Sequence, residues 1–169
     1  MSRGSRSAVW LLALAGAIAC DGGLEPLGPC PSGFVGACGT IRFRGGVPDS
    51  TELVWVVAFE RFPQSAGDLF GFRPALPPEL PFGDTMTTYQ LPLPPGTYEW
   101  VLAVWKKQGT LTLTNADSLL REAGFYRDPN DPAQPGVVIV RGVATSAVDF
   151  VVDFDNMHPV SFWFPTGAR

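Results

Sequence analysis

The side chains able to do chemistry are few. Three cysteines stand at 20, 30 and 38, one histidine at 158, and oxygen donors cluster at 149–156 and 128–131. A single imidazole cannot assemble a zinc site, which takes several Cys or His ligands. His158 also has no G-x-S-x-G elbow to serve, so a Ser-His-Asp arrangement lacks its nucleophile. His158-Pro159 reads instead as a solvated turn at a strand end. Asp149, Asp153 and Asp155 are placed on the outward face of one strand, with Asn156 after them, and Asp128-Pro129-Asn130-Asp131 forms a second group. Oxygen-only sets suit calcium. Yet prolines spoil an EF-hand spacing, Asp or Asn beside Pro is ordinary turn chemistry, and outward Asp guards a strand against edge pairing. There is no P-loop and no G-x-G-x-x-G to cradle a nucleotide. No catalytic residue, no metal ligand and no cofactor is expected, and the chain reads as a non-enzyme.

The thiols gain meaning from what precedes them. Arg3 and Arg6 lead into Ala8–Ala19, twelve residues without a polar side chain. That run is too short to span a bilayer as a helix, which takes about twenty residues, and has the form of a signal peptide over residues 1–19. Ala17-Ile18-Ala19 is an A-x-A site for plain secretion. The same residues with Cys20 resemble a bacterial lipobox, in which the cysteine is lipidated and becomes the new N-terminus. Cysteine parity favours the second course: with acyl chains on Cys20, Cys30 and Cys38 are left to pair. Such a disulfide closes a nine-residue loop and contributes about 2.5 kcal/mol; two unpaired thiols are the alternative. Residues 20–38, with five glycines and three prolines after Cys20, read as a lipidated tether. Both basic residues of the leader leave with it, so the acidic remainder has no attraction of its own for anionic lipid. The implied address is the bacterial cell envelope, with the membrane held through the acyl chains.

Composition bounds the rest. Of 169 residues 46% are apolar and 17% charged, the net charge is −4, and Gly and Pro number 19 and 17. So much Gly and Pro excludes a coiled coil or helical bundle, and the apolar content excludes disorder. Nothing points to a nucleic-acid partner. From residue 39 onward, short β-type runs alternate with Gly and Pro. Seven strands are predicted: 40–44, 53–59, 88–93, 97–106, 137–140, 147–154 and 160–164. Leu53–Phe59 is apolar on both faces and is predicted to be central. Pro94-Pro95-Gly96 suits a type II turn joining 88–93 to 97–106 in a hairpin. Val148, Phe150, Val152 and Phe154 face inward, and Asp149 and Asp153 outward. Pro63–Asp84 is a long loop pinned by its aromatics. Thr114–Ala123 is the one helix candidate, with Thr114 and Asp117 in a capping-box spacing and Gly124 behind it. The expected fold is all-β, a seven-stranded antiparallel β-sandwich over 39–169, with one short helix in an insertion at 109–135.

Gly39-Thr40-Ile41-Arg42-Phe43-Arg44-Gly45, the strand Leu53–Phe59, and Tyr89–Tyr98 with its Pro95-Gly96-Thr97-Tyr98 resemble the carboxypeptidase-regulatory-like, or transthyretin-like, β-sandwich. The resemblance spans 39–106 and, more loosely, 137–154. It implies a non-catalytic module used for folding, attachment or binding.

Aromatic residues are the last signal. Trp55, Trp100, Trp105 and Trp163 all fall in predicted strands; they are either core or a platform for sugar rings or an extended peptide. Tyr98, Trp100, Leu102 and Val104 are assigned to one face, Val101, Ala103 and Trp105 to the other. Phe125, Tyr126 and Arg127 lie in the insertion. Either both rings cover the face bearing Val101 and Ala103, or Tyr126 and Arg127 point outward to meet an envelope protein or polysaccharide.

Overall fold

The computed structural model describes residues 30–112 and 114–164; the leader 1–19, Cys20 and the tether to residue 29 lie outside the described residues. The fold is all-β. Strand β1 (Gly36–Arg44) pairs antiparallel with β3 (Met86–Pro92) along one edge. Its other edge pairs in parallel with two short strands, β8 (Ala144–Thr145) and β9 (Phe150–Asp153). A second sheet runs β10–β6–β5–β2, all antiparallel, from β10 (His158–Pro159), β6 (Leu120–Phe125), β5 (Trp100–Lys107) and β2 (Thr51–Phe59). Strands β4 (Gly96–Tyr98) and β7 (Val138–Val140) form a small third sheet.

One apolar core joins the two large sheets. Ile41, Tyr89, Leu91, Phe150 and Val152 enter it from the first, and Val54, Val56, Val101, Ala103 and Trp105 from the second. The alternation at 148–154 holds: Val148, Phe150, Val152 and Phe154 are all buried.

Several predicted elements change form. The described residues hold ten strands rather than seven, and two pairings are parallel rather than antiparallel. The predicted helix shrinks to α1 (Ala116–Leu119), and the chain turns at once into β6. Without β6, a row of buried backbone groups on β5 would lack partners. The helix begins at Asn115, whose Oδ1 accepts from the Thr112 amide at 2.7 Å, not at Thr114. The predicted strand 97–106 breaks at Glu99 into β4 and β5, which belong to different sheets, so Tyr98 joins the central core while Trp100 faces away from it. Gly96 is accordingly a strand residue rather than the left-handed corner of a type II turn, and β3 and β4 do not pair. The Tyr98 hydroxyl holds that corner by donating to the Pro94 carbonyl at 2.9 Å. Strand β2 ends the second sheet instead of lying inside it. Its free edge is closed by the loop at 73–80, through Ala58 with Arg73 and Leu80 with Val54, all at 2.8 Å. Residues 160–163 form a 3-10 turn rather than a last strand. Residues 36–38, read as tether, belong to β1.

Candidate functional site

β6 positions the site. Its register against β5 slips between Ala103 and Val104, so Gly124 faces Ala103 and Glu122 faces Val104, with Ala123 as the extra residue of a bulge. Bulges re-aim side chains and are frequent beside functional sites. Here Ala123 enters the central core, while Leu120 and Phe125 lie on the opposite side of the sheet. Glu122 is turned toward β10, where its Oε2 stands 3.2 Å from His158 Nδ1.

The histidine taken for a solvated turn residue is therefore half-buried and paired with a buried carboxylate. Its ring stacks on Phe162 at 4.5 Å and meets Trp163 edge-on at 5.8 Å. Beside the pair opens a cavity of about 220 Å³. Arg44 at the end of β1, Asp153 on β9 and Asn156 give it hydrogen-bonding groups; Phe125 and Trp163 give it an aromatic wall.

Burial raises the Glu122 carboxyl above the ordinary carboxylate range, and the hydrogen bond and charge of His158 oppose that rise only in part. The folded state thus holds this proton more tightly than the unfolded chain. The stability so gained is complete below the unfolded carboxyl value, about 4.3, and is lost as pH rises through the elevated folded value. Glu122→Gln removes that loss. The melting temperature of the variant, relative to the unaltered protein, should rise as pH increases from the unfolded carboxyl value through the elevated folded one, and level off above it; parallel curves would show that Glu122 ionises without cost.

Of the three residues picked from the insertion, two share this cavity and one does not. Phe125 is buried between Trp163 at 5.3 Å and Trp100 at 6.5 Å between ring centres. Arg127 lies in the cavity wall with its guanidinium 4.3 Å above the Phe125 ring, and it donates to the Pro132 carbonyl at 2.6 Å. Tyr126 turns the other way, half-buried against the central core. The two rings thus do not cover one face together, because consecutive strand residues point to opposite sides. Gly136 is required by this arrangement: a Cβ there would lie 2.5 Å from the Tyr126 ring.

The remaining candidates resolve locally. Cys30 and Cys38 stand at disulfide distance, with Cα atoms 5.4 Å apart. Asp149 accepts from the Thr40 amide at 2.7 Å, Asp153 from that of Asp155 at 3.1 Å, and Asp128 from that of Asn130 at 2.7 Å. These carboxylates cap backbone. Among the described residues, no group of three or more His, Cys, Asp or Glu is placed to hold a metal ion.

Glu122 escaped the reading of the sequence. In a helix from 114 to 123 it is one more polar position; only the strand pairing of His158 with Glu122 brings the two together. Chemically, the pair can share a proton in a partly dry setting. Comparison of the chain with models of protein families, with characterised proteins and with solved structures finds no match in any of the three.

Proposed function

We propose that this is an exported, lipid-anchored protein of the bacterial cell envelope, whose transthyretin-like sandwich is a non-catalytic module for attachment or binding. The observation that carries the proposal is the placing of the cysteines. Two of the three stand at disulfide distance, which leaves Cys20, behind its basic and apolar leader, as the odd thiol and the acylation site. Acyl chains hold the module at the membrane, since two chains are needed for lasting attachment. Nine residues separate Cys20 from Cys30, a reach of at most about 35 Å. The aromatic residues support a packed module over a sugar platform: among the described residues every Trp and Tyr is buried or half-buried.

Replacing Cys20 with alanine tests this in the cell. The unaltered protein should sediment with membranes and enter solution only with detergent, whereas Cys20→Ala should be recovered without detergent. Equal sedimentation of the two would sink the proposal.

The cavity beside Glu122 and His158 favours a second reading, capture of a sugar or peptide group, because aromatic and hydrogen-bonding side chains line it together. Arg44→Ala with Asp153→Ala should then abolish retention on an envelope polysaccharide while leaving the melting temperature nearly unchanged.

A further inference from the structure

The second sheet is apolar on both sides. Along β5, alternation sends Val101, Ala103 and Trp105 to the central core and Trp100, Leu102 and Val104 to the outer face. β2 adds Val57 and Phe59 to that outer face. Leu69 and Phe70, from the 3-10 turn Ala66–Gly71, cover it together with Phe72. Between the sheet and this cover lies a cavity of about 130 Å³, separate from the one beside Glu122.

Its lining has no charged group and no hydrogen-bond acceptor on any side chain. The only polar side-chain atoms are the indole N–H groups of Trp55 and Trp100, and that of Trp100 has no acceptor among the described residues. A water molecule needs two to four polar partners and finds few here. Apolar enclosures of roughly 150 Å³ take up benzene, and this one is close to that size. A charged guest, or one that must donate a hydrogen bond, would be desolvated without compensation, because the lining offers no side-chain acceptor. The cover is a single turn rather than a strand, and Phe70 is 43% exposed, so the apolar lining continues out to the surface. The geometry points to a binding site for an uncharged hydrocarbon group of about six carbon atoms. It stands whether or not Cys20 is acylated, because it rests only on lining residues from Trp55 to Leu120.

The test titrates benzene into the full-length protein while tryptophan emission and melting temperature are followed, since Trp55 and Trp100 in the wall report directly. Emission should change saturably, with a Kd on the order of 1 mM or tighter, and the melting temperature should rise by several degrees. Phenol, similar in size but carrying a hydroxyl, should bind at least about tenfold more weakly. Val57→Phe fills the cavity from its floor and should abolish the response; Leu120→Phe, which narrows it from the rim, serves if the first variant does not fold. No response in the unaltered protein, equal binding of phenol, or an undiminished response in the filled variant would each overturn the site. A six-carbon monoacylglycerol separates the sources of the group. Its binding would show that the end of an acyl chain enters, whereas binding of benzene alone would assign the site to free hydrocarbons.

Discussion

Gly124→Ala should lower the unfolding free energy by about 3–5 kcal/mol, the combined cost of strain and overpacking. A Cβ at this position would lie 1.9 Å from the Val151 carbonyl oxygen and 3.0 Å from the Val152 Cα. Those are backbone atoms of β9, and β9 is fixed in a parallel ladder with β1, where Val151 is opposite Arg42. Neither strand can retreat without giving up hydrogen bonds. Gly124 also sits at a φ of 157°, which side chains on L-residues rarely adopt. The bulge that aims Glu122 depends on the same residue, so the cavity should be lost with the fold. Gly46→Ala is the control: nothing lies within 4 Å of a Cβ there, and the change should stay within about 0.5 kcal/mol. Urea unfolding of the two variants measures both. A loss below about 1 kcal/mol at Gly124 would mean the sheets do not approach as described.

The second large effect separates packing from contact in the insertion. Phe125→Ala should cost about 3–5 kcal/mol, the range for a buried aromatic ring, because it empties the space between Trp100 and Trp163. Arg127→Ala should cost no more than about 1 kcal/mol, since it removes an exposed cation–ring contact and one bond to the Pro132 carbonyl. If Phe125→Ala were neutral, the ring would belong to a surface and not to the packing between Trp100 and Trp163. Paired thermal and urea unfolding decides between them.

What could be read ahead of the structure was set by short-range pattern. Two-residue alternation at 148–154 fixed which side chains of β9 enter the core, and the doubly apolar run 53–59 announced a strand covered on both faces. What could not be read was set by partners distant in the chain. The capping-box spacing of Thr114 and Asp117 is not used, because Asp117 accepts instead from the Ser161 amide at 3.0 Å; the free edge of β5 draws residues 120–125 into a ladder, and a four-residue helix is what remains. The Pro-Pro-Gly corner looks like a hairpin turn until β4 finds β7 instead of β3. Glu122 and His158 are 36 residues apart, and neither carries a local mark of the other. The double-sided apolarity of β2 and β5 was legible; the cavity was not, because its cover comes from a loop with no periodicity of its own.

Acylation of Cys20 is the claim on which the function rests, and mass spectrometry of the native protein's N-terminal peptide tests it most directly. The account predicts no peptide from residues 1–19 and a first peptide that begins at Cys20, heavier by its acyl chains. An unmodified Cys20 at the N-terminus, or a chain that keeps its leader, would contradict it.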